Sequence, residues 1–201
     1  MTENDLKDTN IPLKLAEKYT FESYAPTDDK QRKALNLCRA YVHRPVAGLY
    51  FTGGVGSGKT HLAIAIGVNL IKQGKGVKFY RTTDLLHAIR TTFRGNDINS
   101  DQIRYAIRFA PFLIIDDLGA ERLTEWVAET FYDLIDYRYL HADRFKTIIT
   151  SNLSLGQVAQ RMEDPRISSR LTEICLKVDT GDVDYRLKKA PKPDILDIKN
   201  A

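Results

Sequence analysis

A chain of 201 residues with 43% hydrophobic and 28% charged side chains can bury a sizeable core, most simply as one domain. Its longest apolar run, Leu62 to Val68, falls far short of a membrane span, and no amino-terminal stretch reads as a signal peptide. These features exclude a membrane-embedded protein and make the cytoplasm the expected location. The net charge of +4 favours an anionic partner, while Cys38 and Cys175 lie far apart in apolar company and are expected to be buried free thiols, neither a disulfide nor a zinc site.

Residues 1–19 are polar, show no clear period and include Pro12, and so are predicted to be a flexible lead-in. Aromatic residues follow in Tyr19-Thr20-Phe21-Glu22-Ser23-Tyr24, ahead of Pro26. Phe21 and Tyr24 either line an adenine pocket or pack on the core. A helical pattern from Asp28 to His43 has Ala34, Leu35, Leu37, Cys38 and Val42 as its apolar residues.

Gly48–Thr52 is predicted to be a short buried strand, and Leu62 to Ile66 the start of a well-covered helix. Between them, Gly53-Gly54-Val55-Gly56-Ser57-Gly58-Lys59-Thr60 satisfies G-x-x-x-x-G-K-[ST] at every fixed position. In that strand–turn–helix context the glycines let backbone N–H groups converge on phosphate oxygens, and the helix N-terminus adds partial positive charge. Lys59 is placed to reach the β- and γ-phosphates, and Thr60 to offer its hydroxyl to Mg²⁺.

Gly74 and Gly76 end that helix, and residues 77–81 read as a second strand. Thr83 is expected to cap a helix reaching Phe93, Gly95-Asn96-Asp97 to break it, and Ser100 to cap the next, with Ile103, Ile107 and Ala110 on its apolar stripe. Arginines recur four apart, Arg90 with Arg94 and Arg104 with Arg108. The pairs suit a nucleic-acid backbone, with Phe93 stacking a base, or else a solvated face with Phe93 in the core.

Phe112 to Asp117 is an apolar strand ending in two acids, at the carboxyl end where ligands bind in parallel sheets. Asp116 would hold Mg²⁺, and Asp117 would orient the attacking water. Thr124 caps a long helix with Val127, Phe131, Leu134 and Ile135 buried and Trp126 about 100° away, where it can stack a base, meet another subunit or fill core. A strand at 147–150 leads into Ser151-Asn152, an amide able to bond both a γ-phosphate and a lytic water. Arg166 and Arg170 are four apart on a short helix, and either could reach a phosphoryl group in a second subunit or form a surface ion pair. Residues 174–178 read as a fifth strand, and residues 181–201 as a basic, proline-interrupted tail.

The succession of phosphate loop, Ile-Ile-Asp-Asp-Leu-Gly at 114–119, Thr-Ser-Asn at 150–152, Ser-Arg-Leu at 169–171 and Asp-Tyr-Arg at 184–186 resembles the AAA+ ATPases of the DnaC/DnaI helicase-loader group. The related IstB transposition ATPases share it. The likeness runs from about Thr20 to Arg186. It implies an α/β P-loop NTPase of the AAA+/ASCE type, a three-layer sandwich on a parallel five-stranded sheet of order 5-1-4-3-2. The ATPase domain is expected over residues 20–180 without a full helical lid, Arg186 being the candidate for a sensor-2 role.

The resemblance makes Asp116 and Asp117 Walker B, Asn152 sensor 1 and Arg170 a trans-acting finger. Lys59, Asp117, Asn152 and Arg170 become the catalytic set, Thr60 and Asp116 the Mg²⁺ ligands, and Gly53, Gly54, Val55, Gly56, Ser57, Gly58, Lys59, Thr60 and His61 the ATP contacts. Arg90, Phe93, Arg94 and Trp126 become candidate contacts to single-stranded DNA. The implied protein is a helicase loader acting in replication initiation, self-assembling, partnering a replicative helicase, and slow as an ATPase unless assembled. A transposition helper that prefers duplex DNA is the near alternative. A small-molecule kinase and a nucleotide-binding regulator with little hydrolysis are the distant ones.

Overall fold

The computed structural model describes residues 2–92, 98–119 and 124–185. In chain order the elements are α1 (Glu3–Leu6), α2 (Leu13–Lys18), α3 (Asp29–Tyr41), β1 (Gly48–Thr52), α4 (Lys59–Lys72), β2 (Val77–Arg81), α5 (Thr82–Thr92), α6 (Ile98–Arg108), β3 (Phe112–Leu118), α7 (Glu125–Leu140), β4 (Lys146–Ser151), α8 (Leu155–Met162), α9 (Pro165–Ile174) and β5 (Cys175–Asp179). The strands pair in parallel in the order β2-β3-β4-β1-β5, which is the expected order read from the other edge.

Period-two alternation divides the core in two. Leu49 and Phe51, Ile114 and Ile148 face one side and pack with α2, α3 and α4. Tyr50, Leu113, Ile115 and Ile149 face the other, under α5 to α9. The central strands are covered on both faces, so they read as continuous Leu/Ile/Phe runs, and α4 is apolar nearly all round because it too lies inside the layers.

Three local expectations need correction. Residues 2–19 do not form a flexible lead-in: α1, α2 and the segment joining them bury Leu6, Ala16 and Ile11 in the first core, and the Thr9 carbonyl of that segment accepts a 2.7 Å bond from the Phe79 N–H of edge strand β2. These helices are too short to show a period, yet the segment joining them bonds a sheet edge that would otherwise leave the Phe79 N–H unpaired. Thr83 does not cap α5, which begins at Thr82 directly from β2, and Ser100 lies within α6. Thr82 is buried and its hydroxyl donates to the Asp116 carbonyl, so a tertiary bond, not a cap, sets that boundary. The predicted tail also splits: residues 181–185 pack on the phosphate loop, and the remainder lies outside the described residues.

Thr124 caps α7 as expected, its hydroxyl accepting from the Val127 N–H. Cys38 is buried and Cys175 half-buried, and both are free thiols. Among the described residues no helix is long and apolar enough to cross a membrane.

Candidate active site

At the carboxyl ends of β1, β3 and β4 lies an open cavity of about 1210 Å³. Val55 to His61, Asp116, Asp117 and Asn152 line it, together with Tyr19, Tyr24, Arg81, Thr150 and Tyr185. Gly53 and Gly54 stand just behind, presenting their carbonyls to the Lys59 ammonium at 2.8 and 2.6 Å. Lys59 is therefore anchored on its own loop, and reaching a phosphate means exchanging those carbonyls for phosphoryl oxygens.

Two glycines of the loop are required by its surroundings. Gly56 has φ +73°, and a Cβ there would meet the Asp184 carboxylate at 1.8 Å. Gly58, the residue before α4, has φ +94°, and a Cβ there would press into the Tyr24 ring at 2.6 Å. Gly56 occupies a variable position of the motif, so its requirement comes from the segment after β5. That segment ties down the loop through Gly54 N–H to Gly181 O (2.9 Å), Tyr185 N–H to Gly56 O (3.1 Å) and the Ser57 and Thr180 hydroxyls (2.7 Å). Gly56→Ala is expected to destabilise the fold by about 1–3 kcal/mol and to weaken nucleotide binding, read by urea denaturation and by titration with a fluorescent ATP analogue.

Opposite the loop, the β3–β4 register slips between Ile115 and Leu118, and this bulge carries both acids. Asp116 is 5% exposed, and one carboxylate oxygen accepts the hydroxyls of Thr60 and Thr150, each at 2.7 Å. Asp117 adopts φ 62°, rare for a residue with a side chain. Its N–H donates to the Thr150 hydroxyl at 2.9 Å, and its side chain is turned out into the cavity. One threonine thus fixes both acids: one directed inward onto the phosphate loop, the other exposed. Asn152, one residue past β4, is exposed in the same cavity.

Hard oxygen donors on Thr60 and Asp116, already in contact, fit a Mg²⁺ ion that takes its remaining ligands from phosphate and water. Burial holds the Asp116 carboxyl above the usual carboxylate range, opposed by the bonds from Thr150 and Thr60 and raised further by Asp117. Because the folded-state pKa is raised, ionisation costs stability, and this cost appears as pH rises through the folded value. Asp116→Asn keeps an acceptor for both threonines and removes the buried charge. Without nucleotide its melting temperature is expected to rise by roughly 2–4 °C at neutral pH, equivalent to about 1 kcal/mol, and the gain should vanish in acid, as differential scanning fluorimetry would show.

At the other end of the cavity His61 stacks on Tyr19 (centroids 4.8 Å apart) and meets the edge of Tyr24. Its Nε2 lies 2.7 Å from the Thr20 carbonyl, and burial depresses its pKa, so it is a neutral ring whose proton sits on that nitrogen. Of the two aromatics flagged for an adenine pocket, Tyr24 lines the cavity, whereas Phe21 is buried in the first core.

The remaining predicted residues lie elsewhere. Arg90 on α5 and Trp126 on α7 are brought together, the guanidinium 4.4 Å from the indole centroid. They flank a second groove of about 1270 Å³ that Trp126 lines with Arg104, Arg108 and Arg166 beside the acids Glu125, Glu129 and Asp133. Phe93, Arg94 and Arg186 lie outside the described residues. Arg170 on α9 packs against α7, away from its own chain's cavity, and pairs with Asp136 at 2.6 Å. The strap at 180–185 was the feature sequence reasoning missed. Its Asp184-Tyr185 pair belongs to the Asp-Tyr-Arg motif that carries the family resemblance.

A family model described as IstB-like ATP binding protein matches residues 3–192. Among curated relatives, the replicative helicase loader DnaC of Escherichia coli (strain K12) is 30% identical over 122 residues, covering 59% of this chain and 50% of that protein. The insertion sequence IS232 putative ATP-binding protein of Bacillus thuringiensis subsp. berliner is 27% identical over 160 residues, covering 80% of this chain and 61% of that one. The chain thus spans about half the length of the DnaC proteins it matches. A crystal structure of the DnaC helicase loader superposes with a TM-score of 0.71 at 26% identity, covering 82% of this chain and 97% of that one. A DnaI structure superposes at 0.72 with 23% identity, covering 85% and 95%, a likeness of fold.

Proposed function

Because the chain belongs to the IstB-like ATP-binding family, we propose that it is an ATP-hydrolysing, single-stranded-DNA-binding helicase loader that acts in replication initiation by assembling with copies of itself. The observation that carries this reading is the linkage of Thr60, Asp116 and Thr150 at the mouth of a cavity into which Asp117 and Asn152 also face.

Backbone N–H groups at Gly56, Gly58, Lys59 and Thr60 cradle the phosphates and the N-terminus of α4 adds its dipole. Lys59 leaves the carbonyls of Gly53 and Gly54 for phosphate oxygens. Thr60 and Asp116 would hold a Mg²⁺ ion, which would supply charge neutralisation at the phosphates. Asp117 orients a water and accepts its proton, while the Asn152 amide bonds that water and the terminal phosphate. Tyr19, Tyr24 and His61 offer an aromatic wall for the base. Arg170 is too far round the fold to serve its own cavity and acts on a neighbouring copy. Arg90 and Trp126, with Phe93 and Arg94 close by in sequence, grip single-stranded DNA through stacking and phosphate contacts. ATP orders the assembly and its DNA grip, and hydrolysis releases both. The replicative helicase is the client partner.

Arg170→Ala is expected to lower DNA-stimulated hydrolysis by about 10³-fold or more while nucleotide affinity stays unchanged. Phosphate release and fluorescent-nucleotide titration measure the two. The deciding experiment is binding to fluorescent single-stranded and duplex oligonucleotides, with ADP and with a non-hydrolysable ATP analogue. A loader binds the single strand and does so more tightly with the ATP analogue. Equal binding in both nucleotide states, or none, removes the reading.

A transposition helper is the second reading. It is favoured by the greater share of this chain matched by the IS232 protein, 80% against 59% for E. coli DnaC. Preference for duplex in the same assay would select it.

A further inference from the structure

Arg170 does not stand alone on its helix. Its Nη2 is 2.6 Å from a carboxylate oxygen of Asp136 and donates to the Tyr132 hydroxyl at 3.1 Å. Tyr132 and Asp136 are four residues apart on α7 and therefore share one face. The guanidinium lies 4.8 Å from the Tyr132 centroid and 5.6 Å from that of Tyr139. Its Nε is buried without a partner, and Nη1 makes no hydrogen bond among the described residues. The side chain keeps 23% of its surface exposed.

Arg166, one turn earlier, is disposed differently. Its Nε and Nη2 are both spent on Asp164, the cap of its own helix. A guanidinium so engaged closes its helix N-terminus. A guanidinium tied at one corner and stacked along its plane has a fixed direction with its other corner free to bond.

We propose that Asp136, assisted by the Tyr132 hydroxyl, is the positioning group that aims Arg170 at the nucleotide of a neighbouring copy. This rests on the reading of Arg170 as a trans-acting group. Asp136 holds Nη2 so that Nη1 meets the developing phosphoryl charge with its rotamer already selected, sparing the ordering of a long flexible side chain when subunits meet. Asp136 touches no substrate. Its effect belongs to the copy that lends the arginine, never to the copy whose ATP is cleaved.

That asymmetry gives the test. Full-length copies carrying Asp117→Asn, with a dead site and an intact finger, are mixed in excess with copies carrying Arg170→Ala, and hydrolysis is followed with single-stranded DNA present. Restored turnover establishes action in trans. Adding Asp136→Asn to the finger-lending copy is then expected to lower the restored kcat by roughly 10–100-fold with KM for ATP unchanged, since a displacement near 1 Å costs about that much. Adding it instead to the copy with the live site is expected to leave restoration intact. Equal loss in both arrangements makes Asp136 a structural residue and overturns the proposal, as does no loss in either. Failure of the first mixture to restore activity overturns the reading of Arg170 itself. If Asp136→Asn melts below the assay temperature, Tyr132→Phe in the same two arrangements decides, with an expected several-fold loss confined to the lending copy.

Discussion

Asp117→Asn is expected to lower ATP turnover by roughly 10²–10⁴-fold and to leave nucleotide affinity nearly unchanged, because on the proposed reading it removes the base and little else. The backbone at this residue sits at φ 62°, a conformation that asparagine accepts better than any side-chain-bearing residue except aspartate. The bond that fixes the bulge runs from the residue's own N–H to the Thr150 hydroxyl and survives the change. Asp116, which faces the phosphate loop, is untouched. Single-turnover phosphate release should therefore fall while binding of a fluorescent ATP analogue persists. Loss of binding as well would mean that Asp117 serves the cation or the bulge, and its role as base would have to be abandoned. Asp116→Asn should differ in kind, failing to couple Mg²⁺ to ATP affinity while making the free protein more stable.

The difference between these neighbours was only half visible in the sequence. Two acids ending an apolar strand announce a phosphate-handling site, and Phe112 to Asp117 was placed almost to the residue. Which acid points inward depends on the register slip against β4 and on Thr150, a contact between residues 34 apart that no local pattern encodes. The strands at 48–52 and 77–81 and the Thr124 cap were legible because turn residues and apolar alternation there agree with the final packing. Helix α8 carries a local signal of its own, Ser154 and Gln157 forming a reciprocal capping box. Helices α1 and α2 carry almost none, since their few apolar residues become informative only when the β2 edge bonded by the segment joining them is known. The strap on the phosphate loop was hidden for a similar reason. Asp184 excludes a Cβ at Gly56 from across the fold, while in sequence it is one acid in a polar segment. Arg170 was visible as a candidate but not separable from Arg166. Their different partners, Asp136 on another helix and Asp164 two residues away, separate them.

The least legible residue carries the largest expected effect on stability. Arg138 is completely buried, four residues past Leu134 and on the same buried face of α7 as Phe131 and Leu134. Among the described residues no carboxylate forms an ion pair with it. Its Nε donates to the Thr147 hydroxyl (2.8 Å), Nη1 to the carbonyls of Arg108 and Ala110, and Nη2 to the carbonyl of Lys146 (2.8 Å). Those groups belong to the end of α6, the turn into β3 and the start of β4. Burial pulls the Arg138 pKa down to about 9, still charged at neutral pH, so the cation is held by oriented dipoles and by the Phe145 ring, 5.6 Å from the guanidinium. Arg138→Ala leaves three carbonyls and a hydroxyl buried without a donor and opens a cavity between α7 and the sheet. A loss of about 3–5 kcal/mol in urea denaturation is expected, with Arg138→Lys recovering only part because an ammonium cannot span the same four acceptors. Since the folded pKa is depressed, the cost of keeping this charge buried is constant up to neutral pH and should lessen only as pH rises through about 9, and wild-type stability should gain above that pH relative to Arg138→Met. Ends of β3 and β4 distant from the nucleotide are set by this arginine, while their opposite ends carry Asp116, Asp117 and Asn152. A hydrolytic rate that fell in Arg138→Lys at temperatures where the variant remains folded would show that the far anchor also holds the catalytic bulge in register.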